Sequence, residues 1–279
     1  MIVAGIDVGG KNLHIVVKKD GQILGKASGP TGIKKAEAVE QLYDQVLRSA
    51  GLTRKDVGRV VATGSSAKRV TFAHGFIPDV TADANGVNKR IPSARTVIDV
   101  GAEEGRVIKV SPEGNVVDFA INDKCAAGTG TFVEAISRAL EVSVDEISEI
   151  TLQSTQTLST NAQCAVFGES EVVSLIHQKT PKPDIARAVM NAIAGRVASV
   201  ARIVGLEKDV VMVGGMAKNA GFVDSLKKSI DMNIIVPEDP DFMGALGAAE
   251  AALAGVMTEE VKARVLGKKT VAAEKGQFS

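Results

Sequence analysis

The chain has 279 residues, 45% of them hydrophobic, and its 33 basic residues balance 33 acidic ones, so the formal net charge is zero. That size suits one large or two ordinary domains with real apolar cores, while the charge balance and an aromatic content of 3% without Trp argue against nucleic acid or an anionic membrane as partner. No apolar run approaches the roughly 18 to 20 residues of a membrane helix, and MIVAGIDVGG has neither a basic n-region nor a cleavage site, so a cytoplasmic globular protein is expected.

In chain order, IVAGIDVGG is a β-branched strand ending in Asp7, followed by Gly9, Gly10 and Lys11. A second strand, LHIVVKK, turns at Asp20-Gly21 into a third, QILGKAS. A helix from about Lys34 to Ala50 stops at Gly51, and the strand VGRVVATG and the loop SSAKR come next. The segment from Pro78 to Arg90 reads as irregular and leads to a boundary near Pro92. Then the opening plan recurs in TVIDVGAEEGRVIKVSPEGNVVDFA: Asp99 follows Asp7, Gly101 matches Gly9, and Glu113-Gly114 stand where Asp20-Gly21 stood. Such a repeat predicts two similar α/β domains, each opening with a β-meander whose first turn presents an aspartate and backbone amides towards a common cleft. The expected division is 1–92, 93–258 and a charged tail from Glu259 to Ser279.

The stretch NDKCAAGTGTFVEAISRAL sets Cys125 just before an amphipathic helix whose Phe132, Ala135, Ile136, Ala139 and Leu140 share one face. A helix N-terminus favours anions, so Gly128, Thr129 and Gly130 suit a phosphate, and Cys125 suits a thiolate or an anionic metal cluster; a buried, inert cysteine in a glycine turn is the plainer alternative. Cys164, the second of the two cysteines, also precedes a helix pattern. Two thiolates cannot complete the shell of an iron–sulfur cluster, so any cluster would take two more ligands from another chain. Further on, a helix is predicted from Asp184, read as its N-cap, to Val204 with Gly205 as its stop. The segment DVVMVGGMAKNAGFVDSLKKSI is a strand, Gly214-Gly215 and a helix, a junction that lets a ligand approach the backbone. DFMGALGAAEAALAG is a small-residue helix suited to close packing or to lying beneath a nucleotide.

Two DxG hairpins and the Gly214-Gly215 turn resemble the duplicated actin-like, ribonuclease H-like α/β fold of the actin, Hsp70 and sugar-kinase ATPases. Within that superfamily, NDKCAAGTG and AQCAVFGESEV are similar to the ATPase subunits of benzoyl-CoA reductase and the activators of 2-hydroxyacyl-CoA dehydratases, from Met1 to about Gly255. The resemblance implies ATP or ADP with Mg2+ in the cleft and one 4Fe-4S cluster shared across a dimer. It also implies Cys125 and Cys164 as cluster ligands, and Asp7 and Asp99 as the Mg-linked carboxylates of two phosphate turns. Thr129, Gly128 and Gly130 would lie near the phosphates, Gly214, Gly215 and Asn219 on the adenosine side, and Gly244 nearby. Implied partners are a homologous ATPase subunit completing the cluster, reductase or dehydratase subunits as electron acceptor, and a ferredoxin-like donor.

Two departures bear on mechanism. DVGSTxxK is replaced by a run from Asp7 to His14 that lacks the usual hydroxyls and lysine, although Lys11 remains in the turn. GGQD after the second aspartate is replaced by Gly101, Ala102, Glu103 and Glu104; Glu103 either serves as a base for water or repels the γ-phosphate. The acidic turn fits one subunit of a heterodimeric reductase better than a homodimeric activator, so an aromatic acyl-CoA reductase subunit is the leading expectation. A dehydratase activator and a non-redox, sugar-kinase-like phosphotransferase are the alternatives.

Overall fold

The computed structural model of the protein describes residues 1–122, 129–156, 158 and 165–255, with the side chains of 165–167 left aside. Contacts divide the chain into two units, Met1–Lys89 together with the chain from Phe242 onward, and Arg90–Asp241. The expected division carried the second domain to residue 258, but the helix after Phe242 packs on the first sheet. The expected tail from Glu259 lies outside the described residues.

In unit 1, β1 (Ile2–Val8), β2 (Asn12–Lys19) and β3 (Gln22–Pro30) form an antiparallel meander. Asp20 and Gly21, both at positive φ (46° and 90°), make its second turn. β4 (Val57–Thr63) pairs parallel to β1, and the two-residue β5 (Gly75–Phe76) completes the order β3-β2-β1-β4-β5. Alternation along β1 aims Ala4, Ile6 and Val8 at Val39, Tyr43, Val46 and Leu47 of α1 (Lys35–Ser49). Gly5 and Asp7 point to the opposite face, towards α8 (Met243–Ala254). A Cβ on Gly5 would stand 2.0 Å from the Ala245 carbonyl oxygen, so α8 lies directly on the strand.

The stretch expected to be irregular is α2 (Asp79–Arg90). Its Asp, Thr, Asn and Gly are poor helix formers, but tertiary contact outweighs propensity. A Cβ on Gly86 would be 2.1 Å from the Met243 oxygen, and one on Gly247 would be 1.7 Å from the Ala82 oxygen. The two helix backbones therefore touch through glycines, an arrangement propensity does not register.

Unit 2 repeats the plan. β6 (Thr96–Val100), β7 (Gly105–Val110) and β8 (Val116–Asn122) form the meander, and β9 (Val210–Val213) and β10 (Ile234–Ile235) extend it in parallel, giving β10-β9-β6-β7-β8. Its core joins Ile98, Val100 and Val107 to α3 (Gly130–Ala139), α6 (Lys182–Val204) and α7 (Ala220–Ile230). Two helices complete it: α4 (Val144–Leu152) and α5 (Ala165–His177). The sequence reading passed over α4, whose start carries a capping box: Glu146 N–H donates to Ser143 Oγ at 3.1 Å, and Ser143 N–H to the Glu146 carboxylate at 2.7 Å. Among the described residues no helix is long and apolar enough to cross a membrane.

Candidate functional site: two aspartate turns

Asp7, one residue from the end of β1, stands opposite Thr63 of β4, and the chain leaves β4 through Gly64 at φ +95°. A Cβ on Gly64 would lie 2.5 Å from Asp7 Oδ1 and 2.5 Å from the Val8 oxygen, so only glycine lets the strand end close on the carboxylate. Gly64 N–H and Thr63 Oγ1 both donate to Asp79 Oδ1, at 2.7 and 3.1 Å, which ties the start of α2 to this junction. On the other side, a Cβ on Gly244 would be 2.7 Å from Asp7 Oδ2 and 3.4 Å from Asp83 Oδ1. The Asp7 and buried Asp83 carboxylates thus converge where α8 begins. The turn closes by Gly9 N–H donating to the Asn12 oxygen at 3.0 Å, and buried Thr31 pins it by donating to the Gly9 and Lys11 oxygens. Lys11 is exposed.

The second unit builds the same junction. Asp99, one residue from the end of β6, stands opposite Val213 of β9, and the chain leaves β9 through Gly214 at φ +81°. A Cβ on Gly214 would be 2.2 Å from Asp99 Oδ1 and 2.6 Å from the Val100 oxygen. Gly101 N–H closes the turn on the Glu104 oxygen at 2.9 Å. Gly214, assigned to an adenosine side from its strand-to-helix setting, thereby stands in unit 2 as Gly64 stands in unit 1. The junction after it is also longer than a direct strand-to-helix turn: a short 3-10 turn, Gly215–Lys218, precedes α7, whose N-cap Asn219 accepts from Phe222 N–H at 2.9 Å.

The α3 N-terminus meets this turn. Gly130 N–H and Thr131 N–H donate to the Gly101 and Ala102 oxygens, each at 3.0 Å, and Thr131 Oγ1 also donates to Ala102. Thr129 is fully buried at the N-cap. Of the two glutamates, Glu103 is exposed, whereas Glu104 accepts from Arg106 Nη2 at 2.9 Å while Arg106 Nη1 donates to Asp99 Oδ2 at 2.7 Å. Cys125, Gly128 and Cys164 lie outside the described residues.

Sequence reasoning missed Gly64, Asp79, Asp83 and Arg106. For Gly64 a signal existed: VATG follows a strand as VMVGG does, and the repeat predicts an equivalent of Gly214. Arg106 was also within reach, because a meander pairs it with Asp99 as it pairs His14 with Asp7. Asp184 is a correction. It is not the N-cap of α6, which starts two residues earlier behind Pro181. Instead its Oδ1 accepts from Ser154 Oγ and from the Thr155 and Gln156 amides at 2.8, 2.9 and 3.1 Å. The Ser154 hydroxyl and then the Gln156 amide hold its carboxyl below the usual range. Residues 154–156 are thereby fastened to α6.

Each turn offers a carboxylate beside backbone packed too tightly for a side chain, which suits Mg2+ that keeps most of its water and arrives with phosphate oxygens. No group of three or more His, Cys, Asp or Glu side chains stands ready to hold an ion alone among the described residues. The donor chemistry for a 4Fe-4S cluster is half present, two of four thiolates.

Two sheets of one strand order, each closing its first hairpin over an aspartate and wedging a positive-φ glycine against it, define a duplicated actin-like ATPase. The chain belongs to the BadF/BadG/BcrA/BcrD ATPase family, whose model matches residues 4–252. It is 36% identical over 255 residues to the 2-hydroxyisocaproyl-CoA dehydratase activator of Clostridioides difficile, covering 89% of this chain and 94% of that protein. The solved structure of that activator with bound ADPNP matches at TM-score 0.86 and 35% identity, over 91% of this chain and 95% of the other. Component A of the (R)-2-hydroxyglutaryl-CoA dehydratase of Acidaminococcus fermentans matches at TM-score 0.88 and 33% identity, over 91% and 98%. A benzoyl-CoA reductase subunit of Thauera aromatica is 34% identical over 239 residues, 84% of this chain and 83% of that one.

Proposed function

We propose that the chain binds Mg-ATP through the Asp7 and Asp99 turns and, as a dimer holding one 4Fe-4S cluster, uses ATP hydrolysis to send an electron to a 2-hydroxyacyl-CoA dehydratase-type partner. The observation that carries the nucleotide part is the repeated junction of strand-end aspartate and positive-φ glycine. The activator relatives support the electron-transfer role, and they move the balance from the reductase subunit to the alternative weighed beside it. Asp7 and Asp99 position the hydrated cation. The Gly9 and Gly101 amides close their own turns, so the amides between them, of Gly10 and Lys11 and of Ala102 and Glu103, are the ones offered to phosphate oxygens, and Glu103, exposed beside the turn, accepts a proton from the attacking water. When bound, the cluster supplies the one-electron couple; Cys125 and Cys164 with the same pair from a second chain would hold it. A reductase subunit remains as a second reading because the acidic pair Glu103-Glu104 replaces the GGQD form. Anaerobic purification tests the proposal: brown protein with about two irons per chain is expected, half of a four-iron cluster shared by two chains. Colourless protein with undiminished ATPase would remove the electron-transfer role.

A further inference from the structure

Arg106 stands opposite Asp99 in the β6–β7 register, which is why its guanidinium reaches both Asp99 Oδ2 (2.7 Å) and Glu104 Oε2 (2.9 Å). In unit 1 the residue opposite Asp7 is His14, and the turn ends in Asn12 rather than a glutamate. Unit 2 thus sets three carboxylates, Asp99, Glu103 and Glu104, around its turn, with one guanidinium bridging two of them. The Arg106 and Asp99 side chains are 13% and 10% exposed, so water screens the pair weakly. The other Asp99 oxygen, Oδ1, lies against Gly214. A cation that approaches Asp99 at Oδ2 competes with Arg106.

Building on the proposed nucleotide site, we propose that Arg106 is a charge gate for the divalent cation in this unit. Without metal it bridges Asp99 and Glu104 and offsets one of their two negative charges. When hydrated Mg2+ arrives with the polyphosphate, Arg106 yields Asp99, stays tethered to Glu104, and turns the N–H released from Asp99 to a phosphate oxygen, a task the planar guanidinium performs and a histidine at this position does not. Arg106 is in this sense a positioning residue, and it makes an acidic turn compatible with a polyanion.

The test uses the full chain with Arg106→Gln and Arg106→Lys. Mn2+ binding without nucleotide is followed by electron paramagnetic resonance, and binding of a fluorescent ATP analogue is titrated at several Mg2+ concentrations. The Gln variant is expected to bind Mn2+ about tenfold more tightly and Mg-nucleotide about tenfold more weakly than wild type, as the loss of one charge-assisted bond implies. The Lys variant, with charge but no fork, falls between. A purely structural role would weaken both ligands together. Parallel loss, or unchanged Mn2+ affinity, overturns the gate; if the Gln variant does not fold, the same opposed shifts in the Lys variant decide. Wild type that binds no Mg-nucleotide would remove the nucleotide site and the gate with it, whereas wild-type binding without opposed shifts removes the gate alone.

Discussion

Gly64 and Gly214 each do two things an alanine cannot: they hold a positive φ and leave room for a carboxylate within 2.5 Å of where a Cβ would be. Either substitution should add about 1–2 kcal/mol of backbone strain and push Asp7 or Asp99 out of place. Gly64→Ala and Gly214→Ala should each lower the thermal midpoint and weaken Mg-ATP binding at least about tenfold; wild-type affinity in a folded variant would show that the junction does not position the phosphates. Asp184 gives a pH dependence. Its folded carboxyl titrates lower than in the unfolded chain, so its stabilisation is present above the ordinary carboxylate range and is lost as pH falls through the folded value. Asp184→Asn should flatten the acid limb of a stability-against-pH curve while leaving the neutral-to-alkaline side parallel to wild type. Tyr43 works at the other end: burial raises its hydroxyl from 10.0 to about 12. The folded state keeps that proton after the unfolded chain has lost it, so stability should decline between those two values, and Tyr43→Phe should lessen the decline.

Elements meet here through small residues as much as through large ones. α8 carries almost no polar face, and its glycines meet β1 and α2 backbone to backbone. Gly247→Val should be among the most damaging single changes in unit 1, because its branches fall where the Ala82 carbonyl already stands. A loss of about 3 kcal/mol or more is expected in a denaturant titration, at the upper end of overpacking costs. An equal loss for Ala252→Gly, elsewhere on the same helix, would mean that helix propensity rather than close approach sets the penalty.

For the whole molecule, the second aspartate turn and the start of α3 form one hydrogen-bonded piece, through Gly130, Thr131, Gly101 and Ala102. Cys125 precedes that helix by five residues. If the turn shifts between ATP and ADP, the surroundings of the cysteine shift with it. Cys125→Ser and Cys164→Ser should each abolish cluster binding and loosen the dimer while sparing nucleotide binding; a full iron complement in either would refute the ligand assignment. A redox titration with ADP and with a non-hydrolysable ATP analogue should yield different midpoints. By linkage the nucleotide that lowers the potential binds the oxidised form more tightly, and about 60 mV corresponds to roughly tenfold in affinity, near 1.4 kcal/mol. Equal midpoints with both nucleotides bound would leave ATP acting on partner docking alone.

What repeats at short range was legible in the residues alone. Alternating β-branched residues, Asp20-Gly21 and Glu113-Gly114 at the hairpins, and the recurrence of Asp7 as Asp99 specify both meanders and both aspartate turns, because strand period and turn chemistry are local properties. Gly214 also stood out as a close-approach glycine, but not what it approaches. That came from the tertiary fold: Gly64 and Gly214 matter because a parallel strand from far along the chain ends beside each aspartate. Long-range packing likewise made a helix of Asp79–Arg90, whose composition opposes one, by bringing α8 against it, and it drew Asp184 from an expected cap into a brace for a distant segment. Arg106 shows the boundary between the two. Its pairing with Asp99 follows from the hairpin register, but its hold on Glu104 depends on how tightly the four-residue turn folds back, which packing against Gly130 and Thr131 helps to set beside the turn's own Gly101–Glu104 bond.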